Sequence, residues 1–182
     1  MPHRVCPWWI ASLLASPVRR CFGQDPIKIL SPYVSEGMTV LEPGPGMELF
    51  SIPLARLVGG RESNCDRCSI EDDRRIEAGA AKVNLLERSD ALVTSADTIG
   101  ISDLEGKVDF TLAFAMVHEF PAAAHFFDEV ARASKSRARV LPAEPRGNVD
   151  QSRFAAALSA AAGAGFSTAD RPKIASSVRA LL

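Results

Sequence analysis

The sequence lacks an excess of charge of either sign. Its 21 lysines and arginines nearly balance its 22 aspartates and glutamates, and no run rich in basic residues stands out. A protein that holds a nucleic-acid backbone needs a positive field to neutralise the phosphates. The balance therefore argues against a nucleic-acid partner and favours a small molecule as the ligand.

Cysteine is scarce. The chain has four cysteines, which are too few and too irregularly spaced for a disulfide framework in 182 residues. The pair Cys65 and Cys68 has no second cysteine pair or nearby histidine that would complete the four ligands of a zinc site. The sequence therefore predicts a cytoplasmic protein without a metal centre.

Long apolar runs are missing as well. The apolar stretch within residues 1–18 is interrupted by Pro7 and Pro17, and it is much shorter than the ~20 residues that a membrane-spanning helix needs. We therefore expect no membrane span. Because 182 residues suffice for one good core, we expect a single compact domain. Residues 1–36 are expected to form a helical cap on the part formed by residues 37–182.

What the sequence does contain is an alternation of short apolar runs with helical patterns. The runs with strand character are 39–41, 91–94, 108–114, 139–141, 166–169 and 178–182. Alternation of strand and helix implies right-handed crossovers and a largely parallel sheet. The run 108–114 is apolar almost throughout, which predicts a central strand that is covered by helices on both faces.

The helices carry recognisable start and stop signals. A helix over residues 50–58 can include Pro53 if it begins near Phe50, because the amides of the first turn have no intrahelical acceptor to lose. Asp150 is expected to cap the alanine-rich helix that follows it. Gly163 and Gly165 are placed to end that helix.

The sharpest local feature is a glycine turn between an apolar strand and a helix. Gly44 and Gly46 lack a Cβ, so the backbone can turn sharply and approach a ligand closely. Glu42 offers a carboxylate at the end of the strand, where open parallel sheets bind their ligands. Asp66 stands twenty residues after Gly46, a spacing at which an acid can accept hydrogen bonds from ribose hydroxyls. A nicotinamide fingerprint would require a third glycine where the chain has Leu49, which disfavours an oxidoreductase.

With these motifs, the chain resembles class I S-adenosylmethionine-dependent methyltransferases over almost its whole length. The segments that carry the resemblance are the Glu-x-Gly-x-Gly turn at 42–46, Asp66, Ser95-Ala96-Asp97, DFTLAFAMVHEFP from Asp109 to Pro121, VLPAEPRG from Val140 to Gly147, and the C-terminal segments 164–166 and 178–182. A Cys-Pro-Trp-Trp opening at 6–9 is shared with uncharacterised prokaryotic members.

The resemblance implies a Rossmann-like, mostly parallel sheet of seven strands, with helices on both faces and one antiparallel strand near the C-terminus. It also implies that strands 39–41 and 108–114 are neighbours. The implied activity is methyl transfer from S-adenosylmethionine to a small-molecule acceptor. Glu42 would face the methionine amino group of the cofactor, Asp66 its ribose and Asp97 its adenine. Gly44, Gly46, Ala96 and Phe114 complete the implied cofactor site.

The loop after the central strand supplies the catalytic candidates. His118 and Glu119 follow this strand, so the topology delivers them to the binding crevice at the carboxyl edge of the sheet. A neutral imidazole can take a proton from a hydroxyl acceptor, and Glu119 can hold the ring or repel a competing anion.

Three departures from the pattern support an alternative, a protein of this fold that binds the cofactor weakly and does not catalyse. Glu48 adds bulk and charge beside the glycine turn, Pro142 removes a donor inside the fifth strand, and the second strand at 61–65 is unusually polar. The identity of the acceptor and the oligomeric state stay open.

Overall fold

The computed structural model describes residues 25–43, 49–59 and 98–182, together with the backbone of residues 65–66 and 89–90. Within these ranges the helices are α1 (Pro26–Leu30), α2 (Ser51–Val58), α3 (Ala123–Ala133) and α4 (Gln151–Gly163). The strands are β1 (Val40–Leu41), β2 (Cys65–Asp66), β3 (Ser89–Asp90), β4 (Val108–Phe114), β5 (Ser134–Pro145) and β6 (Ser177–Arg179). Of the predicted cap at 1–36, residues 1–24 lie outside the described residues, as does the predicted strand at 91–94; α1 lies in the described part of the cap.

The described strands form one sheet in the order β3-β2-β1-β4-β5-β6. Neighbouring strands run parallel from β3 through to β5, and β6 pairs antiparallel with β5. The predicted pairing of the first strand with the central one is confirmed, since Val40 faces Phe110 and Leu41 faces Thr111. The mostly parallel sheet with an antiparallel strand near the C-terminus is likewise confirmed.

Two expectations about strands differ from the structure. The described residues contain six strands, and segment 166–169 is not one of them; only a single antiparallel bridge between Asp170 and Leu181 marks its place. This segment is polar and largely exposed, so little apolar burial holds it in a ladder. The fifth strand, in contrast, is much longer than the predicted run 139–141, because it begins at Ser134 with exposed polar residues.

Pro142 lies inside β5, as the sequence indicates, and it interrupts the pairing with the C-terminal segment. The ladder between β5 and β6 stops at Ala143, which faces Arg179. Beyond the proline, Val140 and Leu182 exchange two backbone hydrogen bonds of 3.1 and 2.9 Å. The pairing therefore continues to Leu182, but Pro142 has no backbone N–H to donate between these contacts. This missing donor explains why only part of the predicted strand 178–182 is regular.

Two apolar cores lie on opposite faces of the sheet. One contains Val108 and Ala113 of β4 with Phe126 and Phe127 of α3. The other contains Phe110 and Leu112 of β4 together with residues from α1 and α2, all largely excluded from solvent. Burial of alternate side chains on both faces is what the uninterrupted apolar run at 108–114 predicts, and it makes β4 the rigid centre of the domain.

Helix α4 begins where its sequence signal places it. The Asp150 carboxylate accepts a hydrogen bond of 2.8 Å from the Arg153 backbone N–H and so satisfies one of the amides that the first turn leaves without a partner. The helix ends at Gly163, and Gly165 then takes a left-handed conformation with φ of 96°. The Asp150 cap, five residues after the end of β5, fixes the start of α4.

Candidate functional site

Glu42 follows β1 directly and is buried, with 2% of its surface exposed. Its Oε2 atom has no hydrogen-bond partner among the described residues, and neither has the buried hydroxyl of Ser51 at the start of α2. An acid in this position is costly unless a polar or cationic group meets it. The carboxyl end of β1 therefore presents a buried oxygen, Glu42 Oε2, that can accept a hydrogen bond from a ligand.

Burial raises the pKa of Glu42 to about 8. The Ser51 hydroxyl is near enough to oppose this rise in part, but it makes no hydrogen bond with the carboxyl group. The carboxyl group is therefore mostly protonated at neutral pH when nothing binds it. An ammonium group brought beside it would favour the charged form and lower this pKa again.

Phe114, the last residue of β4, packs against Phe50 with ring centroids 4.5 Å apart. Phe50 precedes α2, so this ring pair joins the end of the central strand to the helix that follows the glycine turn. The contact places a half-buried aromatic wall at the carboxyl edge of the sheet. Phe114 is thus available to line a ligand site there.

A left-handed turn leads from β4 into the loop that carries His118. Ala115 has φ of 55°, which is rare for a residue with a side chain and costs roughly 1–2 kcal/mol. Its N–H donates a hydrogen bond of 2.7 Å to the Ala143 carbonyl of β5. The turn carries the chain into a short 3₁₀ segment, Val117–Glu119, which contains His118.

His118 is held by Glu144 of β5, not by its neighbour Glu119. The His118 backbone N–H donates to Glu144 Oε1 at 3.2 Å, and the ring Nδ1 lies 2.6 Å from Glu144 Oε2. Glu144 itself is almost fully buried, with 1% of its surface exposed. Because both carboxylate oxygens accept from one residue, the imidazole is fixed in position with Nδ1–H as donor and Nε2 as the free nitrogen.

The hydrogen bond to Glu144 raises the pKa of His118 above its ordinary value. Partial burial and the nearby Arg153 guanidinium act in the opposite direction, and the negative charges of Glu144 and Glu119 reinforce the rise. Glu119 therefore acts on the ring through its charge, whereas Glu144 makes the hydrogen bond that holds the ring, which is one of the two roles that the sequence suggests for Glu119. The result is a stronger base with one defined tautomer.

A cavity of about 270 Å³ lies between the His118 loop and α4. It is lined by Val117, His118, Phe120, Pro121, Ala123, Glu144, Val149, Arg153, Phe154, Ala156 and Ala157. The cavity combines apolar walls with the His118–Glu144 pair and one arginine. This composition is typical of small-molecule sites, where a few polar groups orient a ligand on an apolar surface.

A larger cavity of about 460 Å³ opens at the opposite, amino-terminal edge of β4 and β5. Tyr33, Arg137 and Arg139 line it beside Asp109, whose carboxylate lies 2.7 Å from Lys135 Nζ. Parallel sheets bind their ligands at the carboxyl ends of the strands. We therefore take the smaller cavity as the candidate acceptor site.

The predicted cofactor residues are only partly within the described structure. Gly44, Gly46, Ala96 and Asp97 lie outside the described residues. The backbone of Asp66 is described and pairs with Leu41, so Asp66 stands at the end of β2 beside the end of β1. Within the described ranges no group of three or more potential metal ligands occurs, and no helix there has the length and apolar character that crossing a membrane requires.

Solved structures resemble this chain over nearly its whole length. An S-adenosylmethionine-dependent methyltransferase from Aquifex aeolicus matches with a TM-score of 0.77 at 20% identity, over 97% of this chain and 99% of that one. A candidate S-adenosylmethionine-dependent methyltransferase from Methanococcus maripaludis matches with a TM-score of 0.72 at 16% identity, over 100% and 96%. The chain has the fold of class I S-adenosylmethionine-dependent methyltransferases.

A TehB-like methyltransferase from Corynebacterium glutamicum shows the same fold, with a TM-score of 0.67 at 15% identity over 96% of this chain and 98% of that one. No protein-family model and no curated protein sequence matches the chain. The methyltransferase fold is therefore seen in the three-dimensional arrangement of strands and helices. Within it, the buried carboxyl group of Glu42 fits the amino group of a bound S-adenosylmethionine, because it is an acceptor without a partner in the described chain.

Proposed function

We propose that the protein binds S-adenosylmethionine at the carboxyl ends of β1, β2 and β3 and transfers its methyl group to a small molecule. The observation that carries the proposal is the buried carboxyl group of Glu42 at the end of β1, whose Oε2 has no hydrogen-bond partner among the described residues, in a chain with the methyltransferase fold. A cationic ligand that donates a hydrogen bond to this carboxyl group offsets the cost of burying it and favours its ionised form.

Residues of the chain would hold the cofactor from several sides. Glu42 would receive the methionine amino group, and Asp66 at the end of β2 the ribose hydroxyls. Gly44 and Gly46 would allow the backbone to approach, Ala96 and Asp97 would contact the adenine, and Phe114 would close the apolar side. When bound, S-adenosylmethionine supplies an electrophilic methyl group on its sulfonium, so the protein needs only to orient the acceptor and exclude water.

For a hydroxyl acceptor, His118 is the general base. Its Nδ1–H points to Glu144, which leaves Nε2 to accept the proton from the acceptor. Glu144 stabilises the charge that the ring gains during this transfer.

The test of the proposed function is cofactor binding. We expect calorimetry to give a dissociation constant for S-adenosylmethionine in the micromolar range, which corresponds to a binding free energy of about −8 kcal/mol. Binding is expected to be lost in Asp66→Ala, which removes the ribose acceptor, and in Gly44→Val, which adds bulk to the turn. A nicotinamide dinucleotide serves as the control ligand and should give no heat. Absence of heat with the intact protein and S-adenosylmethionine would contradict the proposal and favour a protein of this fold without catalytic activity.

The role of Glu144 predicts a shift of the pH profile. Activity requires neutral His118, so the rate rises as the pH passes the pKa of this residue. Because Glu144 raises that pKa, Glu144→Gln should move the rising limb of the kcat profile to lower pH and lower the plateau about tenfold. Glu119→Gln is the matched control: it removes a charge of the same sign without breaking the ring contact, so its shift should be smaller. Equal shifts in the two variants would contradict a positioning role for Glu144.

A further inference from the structure

Resting on the proposed function, we propose that the acceptor is a compact aromatic hydroxy acid, whose carboxylate binds Arg153 and whose hydroxyl meets His118. Both side chains line the 270 Å³ cavity at the carboxyl edge of the sheet. The inference concerns the chemical class of the acceptor, which the methyltransferase fold by itself does not specify.

The charges in the cavity wall favour an anionic ligand. Its ionisable lining residues are His118, Glu144 and Arg153. Glu144 is committed to His118, since its two oxygens accept from the backbone N–H and the ring of that residue. Arg153 is thus the permanently cationic residue of the lining, and the acid of that lining, Glu144, hydrogen-bonds to His118 and not to Arg153. A planar guanidinium binds a carboxylate in bidentate fashion, which supplies both energy and orientation.

Arg153 is set in a fixed place by the start of α4. Its backbone N–H is bound by the capping carboxylate of Asp150 at 2.8 Å. Its side chain is exposed, and its charge is close enough to His118 to lower the pKa of that ring. The same arginine can therefore reach a carboxylate in the cavity while the hydroxyl of the ligand lies at the imidazole.

The size and the walls of the cavity favour one aromatic ring. Its volume is below the ~300–1,000 Å³ of sites for drug-sized ligands, so the occupant is compact. Phe120 and Phe154 supply aromatic surface, and the alanines of α4 leave a smooth wall. Aromatic side chains pack well on a planar ring, in offset or edge-on arrangements.

The transfer step balances with these groups. The acceptor hydroxyl gives its proton to His118 Nε2, and its oxygen forms the bond to the methyl carbon. The carbon–sulfur bond breaks, its electron pair stays on sulfur, and the sulfonium becomes a neutral thioether. Arg153 forms and breaks no bond in this step: it binds the carboxylate, and its charge lowers the pKa of His118.

The experiment compares 4-hydroxybenzoate with its uncharged analogue 4-hydroxybenzamide. Calorimetry measures binding of each compound, with and without S-adenosylhomocysteine, and a methyl-transfer assay measures KM and kcat. We expect the wild-type protein to prefer the acid at least tenfold in both dissociation constant and KM. Arg153→Gln should reduce this preference to about one. Arg171→Gln, which removes an exposed arginine that does not line the cavity, should keep the preference.

The possible outcomes separate this inference from the proposed function. If the acid binds selectively while S-adenosylmethionine does not bind, the proposed function fails and the acid site stands. If S-adenosylmethionine binds but the acid does not, or the amide and the acid bind equally, the inference is wrong and the proposed function stands. An unchanged preference in folded Arg153→Gln, verified by circular dichroism, would also overturn it, and Arg153→Lys should restore part of the preference.

Discussion

Replacing His118 with alanine is expected to slow methyl transfer to a hydroxyl acceptor about a hundredfold, the low end of general-base effects. The ring Nδ1 of His118 lies 2.6 Å from Glu144 Oε2, and the substitution removes the one imidazole of the described cavity wall. The affinity for S-adenosylmethionine should stay within a factor of a few, because His118 belongs to the acceptor side of the site. Release of S-adenosylhomocysteine under saturating cofactor measures the rate.

His125→Ala is the control for this prediction. His125 is half-exposed on α3 and lies 3.5 Å from Glu129, outside the residues that line the cavity. Its removal should leave the rate within a factor of two. If His118→Ala turns over as fast as the wild-type protein, positioning of the two substrates carries the reaction and no general base is needed.

Replacing Glu42 with glutamine is expected to weaken S-adenosylmethionine binding by about one to two orders of magnitude, because it removes a charge-assisted contact in a buried place. The raised pKa of about 8 adds a second signature. At pH 7 the free carboxyl group is mostly protonated, and the ammonium group of the ligand favours the ionised form. Binding should therefore release close to one proton, and the affinity should rise as the pH increases toward 8.

Calorimetry in two buffers of different ionisation enthalpy measures that proton. The wild-type heat should depend on the buffer, and the heat of Glu42→Gln should not. Glu36→Gln, a change at an exposed glutamate, should behave as the wild-type protein does. An unchanged affinity and an unchanged proton count in Glu42→Gln would show that this acid does not meet the cofactor.

The central part of the fold could be predicted because burial leaves a clear pattern. β4 has the predicted bounds, since a strand covered on both faces must be apolar at nearly every position. β5 was underestimated because its first residues are exposed and polar, and a register shift between Val108 and Phe110 lets them bulge from the sheet. Segment 166–169 does not form a strand, because it is largely exposed and its backbone does not pair regularly with a neighbouring strand.

The candidate site was predictable where chain order alone determines position. Glu42, Phe114 and His118 follow strands whose carboxyl ends meet at one edge, so their placement follows from topology. Glu144 and Arg153 were missed as site residues because their roles depend on registry between distant segments. Phe114 faces Ala143 across the sheet, and only this register brings the next residue of β5, Glu144, to the histidine 26 residues before it.

The two walls of the 270 Å³ cavity come from different elements of the fold. Glu144 lies on β5 and His118 lies in the loop after β4, whereas the opposite wall is the alanine-rich surface of α4. Ala156 lies on that helix with its side chain exposed, so a larger residue there costs the core little. The chemistry and the selectivity of the site are thus encoded in separate elements, which can diverge independently. Directed evolution limited to the alanine-rich face of α4 should therefore yield variants with new acceptors that keep the same base.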